Sequence, residues 1–468
     1  MRQLTKILAT VGPASADESV MRRMVEAGTS AFRINFSHGD YETKQRNIDL
    51  IRRIERESGR PIGILADLSG PKVRVGDVQG GAIELEDGSE VVIQGDSVVG
   101  TPDRISCSLP QLLSDVRIGE KVLLADGRLS LVVIEEGDSA IRCRVAIGGT
   151  LTSGKGLNLP ESDLKLSALT RKDRDDVEWI AGRDFDWIAM SFVQRAQDVE
   201  DLRVLTYGHD LRVPILAKIE KPLAVERIDS ILKHADAIMV ARGDLAVEMD
   251  YPLVPIAQKR IAHACTLIGK PCIIATEMME SMVESKTPTR AEVSDVANAV
   301  LDGADAVMLS AETAVGENPI DTVRMMSRTI TAILDAPDIA PPMPEEELPK
   351  LRIARAVKQM IGAHDIAVAA VLVQSGETVR ALSKIRLPCP ILALTPTVEM
   401  RRRMSLYRGV QAADCETMPS DLAELLRLAD QTALAHGLAK RGEKLMLVSN
   451  NSPHVPWAVE GLVIHTLG

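Results

Sequence analysis

The stretch AIMVARGDLAVE, residues 237–248, decides the fold. Its first half, residues 237–241, is apolar or small throughout and reads as a buried β-strand. Its second half opens with Arg242, Gly243 and Asp244: a cation, a flexible joint and an anion. Opposite charges at the exit of a buried strand are costly unless they act there. A single exit of this kind is also what an ordinary salt-bridged strand-to-helix loop looks like. Repetition along the chain separates the two.

Short apolar runs at 7–11, 31–36, 62–68, 187–192, 214–219, 237–241, 272–275 and 306–309 alternate with helical patterns. Those patterns fall at 18–27, 41–57, 172–181, 196–205, 222–234, 253–267, 290–301 and 319–334. Eight strand–helix alternations predict a parallel (β/α)8 TIM barrel, an α/β fold, built from residues 1–68 and 167–337. The third run does not lead into its helix. From 69 to 166 the pattern changes to short alternating strands, with turns at Gly76, Gly80-Gly81, Asp87-Gly88, Gly95-Asp96, Asp126-Gly127 and Glu136-Gly137. This predicts an inserted β-barrel-like lid domain, hinged over the barrel mouth. Residues 338–350, rich in Pro and Glu, read as a linker, and 351–468 as a C-terminal α/β domain.

Composition narrows the function classes. The chain has 468 residues, too many for one core, and 45% are hydrophobic. Aromatics are only 2%, which argues against base-stacking nucleic-acid surfaces. The net charge of −11 disfavours nonspecific binding to nucleic acid or anionic membrane. Cys107, Cys143, Cys265, Cys272, Cys389 and Cys415 are scattered without a C-x-x-C pair, so reduced, buried thiols in a cytoplasmic protein are expected. The N-terminus lacks the apolar length of a signal peptide, and no run is long enough to span a membrane.

In such a barrel the C-terminal strand ends converge on one mouth. The exits hold Arg33, Asn35 and Ser37; Asp67; Lys218 and Glu220; Arg242 and Asp244; Thr276; and Ser310 and Glu312. Lys218 and Glu220 flank Ile219, so period-two alternation puts both on one face. Glu220 and Asp244, on neighbouring strands, suit one hard cation such as Mg²⁺, completed by substrate oxygens and water. The amides of Gly243 and Asp244 open a short helical turn and suit a substrate carboxylate, with Thr276 adding a hydroxyl. Arg33 and Arg74 offer guanidinium forks that match phosphate. The plainer alternatives are a surface ion pair at Lys218, a hydrogen-bonded carboxylate pair, and strand-end caps at Thr276 and Ser310.

The residues that carry these features also form strings. ATVGPAS (9–15), FRINFSHG (32–39), DLSGPKVR (67–74), KGLNLP (155–160), KIEKP (218–222), VARGDLAVE (240–248), ATEMMESM (275–282), the run from 288 to 319 and LYRGV (406–410) resemble the pyruvate kinase family over essentially the whole length. The resemblance implies a barrel, lid and C-terminal domain. It implies phosphoryl transfer from phosphoenolpyruvate to ADP, giving pyruvate and ATP, in the final step of glycolysis. It assigns Glu220 and Asp244 as ligands of Mg²⁺, with Mn²⁺ as a substitute. Lys218 offsets charge on the moving phosphoryl group and the developing enolate. Arg33, Arg74, Asn35 and His38 take the nucleotide phosphate side, approached by Lys155 and Arg195. Thr276, with Ser310 and Glu312 behind it, takes the proton-delivery side. A homotetramer is the family's common state.

Departures from the family pattern carry their own expectations. Many members hold K⁺ near the positions of Asn35, Ser37, Asp67 and the carbonyl of Leu68, with Glu at the position of Lys72 and Thr at that of Leu68. Here the Lys72 ammonium is expected to replace K⁺, so that K⁺ is not required. The segment Gln374-Ser375-Gly376-Glu377-Thr378 resembles an effector phosphate loop, with Ser375, Gly376 and Thr378 as its binding residues. Glu377 adds a negative charge there, and residues 449–457 lack a Gly-rich pattern, so weak or absent fructose-bisphosphate activation is expected. Glu277 and Ala246 stand where Gln and Gly are frequent, without consequence for the chemistry. Two other readings compete. One is a Mg²⁺-dependent enolate-forming aldolase or lyase, which would need neither the lid nor Arg33 and Arg74. The other is a non-catalytic metabolite-binding regulator, expected to have lost Lys218 or a metal carboxylate.

Overall fold

The structure, a computed structural model, describes residues 3–163, 168–336, 349–373, 376–415, 419, 421–449 and 461–468. Its first strands are β1 (Lys6–Thr10), β2 (Thr29–Asn35) and β3 (Gly63–Asp67). The insertion carries β4 (Ala82–Leu85), β5 (Glu90–Gln94), β6 (Arg104–Ser106), β7 (Lys121–Leu124), β8 (Leu129–Glu135), β9 (Ala140–Ile147), β10 (Gly149–Thr152) and β11 (Leu157–Asn158). Then come β12 (Trp187–Met190), β13 (Ile215–Ile219), β14 (Ala237–Ala241), β15 (Cys272–Ala275) and β16 (Ala306–Leu309). The C-terminal part has β17 (Ile366–Leu372), β18 (Ile391–Thr395), β19 (Val410–Asp414), β20 (Lys444–Ser449) and β21 (Gly461–Thr466).

Strands β1, β2, β3 and β12 to β16 close into one parallel barrel, in chain order around the ring. β3, β13, β14, β15 and β16 are buried at every position, as strands covered on both faces must be. Amphipathic helices pack outside. The helix Arg290–Asp302 shows why these segments fold locally: Thr289 caps it, and Glu292 returns a bond to the Thr289 amide. The expected single helix over 222–234 is instead two, Pro222–Glu226 and Ile228–His234. Arg227, at φ −93° and ψ 13°, breaks it and re-aims the second piece so that Ile228, Ile231 and Leu232 all reach the core.

The inserted strands form a six-stranded sheet, β11-β7-β8-β9-β5-β6, and a ribbon, β10-β4, over one shared core. Gly70 sits where the chain leaves β3 for this region. Its φ of +66° and the Phe192 ring against its missing Cβ leave room for glycine alone. The C-terminal sheet runs β19-β18-β17-β20-β21, with only β21 antiparallel. Most of the linker lies outside the described residues.

The inner layer of the barrel is not a separate core. Leu8, Leu65, Trp187, Met239 and Ile273 belong to the same cluster as Val371, Leu406 and Tyr407 of the C-terminal domain. That domain therefore seals the N-terminal end of the barrel. The C-terminal end is left for the inserted region and for chemistry.

Candidate active site

The mouth is built around Lys218. This residue ends the apolar run of β13, and its ammonium points into a ring of oxygens. Nζ lies 2.8 Å from Glu220 Oε1, 3.4 Å from Asp67 Oδ1 and 2.7 Å from Ser191 Oγ. The Lys218 and Glu220 side chains are 11% and 1% exposed, so this is no surface pair. Arg33 Nε meets Asp67 Oδ2 at 2.5 Å, and its Nη1 reaches Thr10 Oγ1 at 3.2 Å. Period-two alternation delivers this: Arg33 and Asn35 on β2 pair in register with Leu65 and Asp67 on β3.

Electrostatics follow from burial and neighbours. Burial alone would lower the Lys218 ammonium, but the Asp67 and Glu220 carboxylates outweigh it and hold its pKa well above the usual lysine range. Burial would likewise raise Asp67, yet Lys218 and Arg33 hold it below its ordinary value, so it stays ionised. Glu220 goes the other way. Burial pushes its carboxyl up to about 7, Asp244 adds to the rise, and Lys218 only partly offsets it. Two cations, Arg33 and Lys218, thus face three carboxylates, Asp67, Glu220 and Asp244. The Asp244 carboxylate has no hydrogen-bond or ion-pair partner among the described residues. Surplus negative charge on two neighbouring carboxylates fits one hard divalent cation. No cluster of three or more His, Cys, Asp or Glu could hold a metal among the described residues. The donor set therefore suits Mg²⁺ completed by substrate oxygens and water rather than a closed zinc site.

A second group surrounds Thr276. Thr276 and Glu277 both take positive φ, 70° and 53°, which costs about 1–3 kcal/mol per residue unless the surroundings impose it. Arg242 imposes it. Its guanidinium reaches Asp295 twice at 2.7 Å and donates from Nη2 to the Thr276 carbonyl at 2.7 Å. The next residue grips the other end: the Gly243 amide donates to Thr276 Oγ1 at 2.7 Å. The amide expected to receive a substrate carboxylate is therefore taken by Thr276 in this structure. A third group lies behind. Glu312 accepts from the amides of Ser310 at 2.6 Å and Met279 at 3.1 Å, while the buried Ser310 Oγ has no partner among the described residues.

Other predicted residues stand apart. Asn35 Oδ1 accepts the Ser37 amide, and the Leu68 carbonyl accepts Ser191 Oγ, so oxygens expected near K⁺ are already bonded within the protein. Lys72 is exposed and lines a small cleft of about 70 Å³ that Asp244 also lines. His38 is exposed, and its carbonyl accepts Lys44 Nζ at 2.7 Å. Arg74, also exposed, donates to the Gly154 carbonyl beside Lys155. Arg195 pairs with Asp163. Gly376, at φ +78°, caps the helix Glu377–Lys384, which contains Thr378; Ser375 and residues 450–457 lie outside the described residues. A larger cavity of about 910 Å³ lies at the barrel's other end, lined by Lys6, Ser405 and Val410, far from this chemistry.

Sequence reasoning missed two residues here. Ser191 is the first residue beyond β12, and the strand-exit rule finds it once that strand is ended at Met190. Asp295, 53 residues from Arg242, and the bond it makes leave no local pattern. All six cysteines are free and buried, as expected of small apolar fillers.

Known proteins resemble this chain over nearly its whole length. The family model "Pyruvate kinase, barrel domain" matches residues 2–323, and "Pyruvate kinase, alpha/beta domain" matches 352–465. The chain is 41% identical to a pyruvate kinase of Geobacillus stearothermophilus over 96% of its own length and 78% of that protein. It is 39% identical to one of Mycobacterium intracellulare over 100% and 99%. A crystal structure of a pyruvate kinase from Cryptosporidium parvum superposes with a TM-score of 0.92 at 33% identity, over 100% of this chain and 97% of that one.

Proposed function

From the premise that the chain belongs to the pyruvate kinase family and carries out that family's phosphoryl transfer from phosphoenolpyruvate to ADP, giving pyruvate and ATP, we propose how its own residues divide the work. The observation that carries the assignment is the buried Lys218 ammonium, held charged by Asp67 and Glu220. Phosphoryl transfer asks chiefly for positioning and charge stabilisation, and a fixed cation supplies both without reorganising. Lys218 faces the transferring phosphoryl group and the enolate oxygen. Arg33, steadied by Asp67, takes phosphate oxygens from the β2 side, with Asn35 and His38 beside it; Arg74 and Lys155 approach from the lid.

Glu220 and Asp244 would hold Mg²⁺, or Mn²⁺ in its place, which would supply positive charge to the anionic oxygens of the substrate. Gly243 and Asp244 offer amides to the substrate carboxylate, and the Thr276 hydroxyl exchanges its bond to Gly243 for the substrate. Thr276, backed by Ser310 and Glu312, lies on the side from which the enolate carbon receives its proton. The lid spans 69–166, the barrel 1–68 and 167–337, the linker 338–350 and the C-terminal domain 351–468. The protein works in the cytoplasm as a homotetramer. No described helix is long and apolar enough to cross a membrane.

Lys72 replaces K⁺. Lys72 lines the same cleft as Asp244, and its ammonium brings beside the mouth a positive charge of the kind the family's monovalent ion would add. Pyruvate formation from phosphoenolpyruvate and ADP with Mg²⁺, in K⁺-free buffer and again with KCl, tests this. Equal rates are expected, and Lys72→Glu should lose the K⁺-free rate. Activity of the wild type only with KCl would end the Lys72 assignment. No pyruvate in either buffer would end the division of roles above.

A further inference from the structure

A buried ion pair beside the mouth belongs to none of the three groups already described. Lys221 Nζ lies 3.1 Å from Glu248 Oε2, and the two side chains are 7% and 2% exposed. Lys221 directly follows Glu220. Glu248 lies four residues after Asp244 on the helix Arg242–Glu248, one turn along the same face. Each half of the pair is thus attached to one of the two carboxylates assigned to the cation.

Both halves also reach the lid. Asn158 Nδ2 donates to Glu248 Oε1 at 2.7 Å, and Lys221 Nζ donates to the Leu159 carbonyl at 3.3 Å. Asn158 ends β11, on the strand that returns from the lid, and Lys155 lies three residues earlier. This returning segment is laddered to the outgoing one: the Val75 amide donates to the Lys155 carbonyl at 2.8 Å, the Leu157 amide to the Val73 carbonyl at 3.0 Å, and Arg74 bridges Gly156. Arg74 and Lys155 therefore move as one piece with Asn158. A buried ion pair contributes little stability over apolar residues of the same volume, because desolvation cancels most of the attraction. Its presence at a hinge asks for another role.

We propose that Lys221, Glu248 and Asn158 are positioning residues: they fix the lid against the two cation-binding elements and so set where Arg74 and Lys155 meet the phosphates of a nucleoside diphosphate. This rests on the assignment of Arg74 and Lys155 to that side. A direct consequence is that nucleotide affinity is more sensitive to the node than phosphoenolpyruvate affinity, since the latter's contacts all lie on the barrel.

Two variants of the full-length enzyme test it. Asn158→Ala removes the lid's side-chain bond to Glu248 and leaves the ion pair and the Leu159 carbonyl contact in place. The double variant Lys221→Met with Glu248→Leu replaces the pair by apolar side chains and is expected to fold. For each, KM for ADP, KM for phosphoenolpyruvate and amide hydrogen exchange at Val75 and Leu157 are measured. Both variants should raise KM for ADP about tenfold, the scale of one lost hydrogen bond to a charged acceptor. KM for phosphoenolpyruvate should change less than about twofold, and exchange at the two hinge amides should quicken. Faster exchange with an unchanged KM for ADP would overturn the proposal by removing Arg74 and Lys155 from the nucleotide side. A raised KM with unchanged exchange, or no change in either, would overturn the positioning role itself.

Discussion

The two ends of the barrel both bury charge, and they balance it differently. At the sealed N-terminal end Glu55, Asp186 and Asp305 each have a cation within ion-pair distance, and Arg52 serves two of them, reaching Glu55 at 3.2 Å as well as Asp186. Lys384 Nζ meets Asp305 Oδ2 at 2.6 Å, Arg52 meets Asp186 at 2.6 Å, and Arg402 meets Glu55 at 2.7 Å. Lys384 and Arg402 come from the C-terminal domain, so two of these pairs close an interface. At the open end Arg33 and Lys218 face Asp67, Glu220 and Asp244, and Asp244 has no cation within ion-pair distance among the described residues. Balanced pairs fasten two surfaces; an unbalanced cluster is incomplete until a cation and an anionic substrate arrive. Burial of charge alone does not mark a site, whereas unmatched buried charge does.

The sharpest way to break this comparison is to remove one cation from each end. Lys218→Met should lower kcat by about 10³-fold or more, the scale of one preorganised electrostatic contact plus charge neutralisation. It should also lower the melting temperature, since Glu220 would be left buried without its cation and Asp67 would keep Arg33 alone. Steady-state rates and a thermal scan read both effects. Lys384→Met should do only the second. It leaves Asp305 buried without its ammonium, at a cost of about 3–5 kcal/mol. Its kcat per folded molecule should stay within about twofold of wild type. A large fall in kcat for Lys384→Met, in protein shown to be folded, would mean that the floor is part of the catalytic machinery and that the contrast is false.

Much of this contrast was legible in the sequence, and the reason is periodicity. Eight buried strands separated by amphipathic helices impose a barrel, and a barrel brings the strand exits together. Lys218 and Glu220 could be placed on one face because they lie two positions apart on a strand. The floor was not legible. Lys384–Asp305 and Arg402–Glu55 join positions 79 and 347 residues apart, and neither partner sits at a strand exit. The latch on Thr276 was half legible: Arg242 stood out as a charge at an exit, but its role is to hold a strained carbonyl against Asp295. The break at Arg227 was hidden because two helices sharing one apolar stripe read as one. Residues whose function is to hold other residues carry no pattern of their own.

One floor cation has no carboxylate of its own and gives the smallest test. Lys6 has no carboxylate partner among the described residues; its ammonium donates to the Val410 carbonyl at 2.7 Å, and burial pushes its pKa down to about 8. The unfolded value is near 10.4, so between about pH 8 and 10.4 the unfolded chain binds more protons and stability rises with pH. Below about pH 8 both states are protonated and the penalty is present in full. Lys6 lines the cavity of about 910 Å³ at this end, where solvent screens part of that penalty. Lys6→Met should therefore stabilise the protein by about 1 kcal/mol at pH 7, with the advantage shrinking as pH rises past 8. Melting temperatures of both proteins at pH 7 and pH 9 measure it. A variant less stable than wild type at pH 7 would show that the bond to Val410 fastens the C-terminal domain more than the buried charge strains it. The floor would then depend on an unpaired charge after all, and charge imbalance would no longer distinguish the two ends.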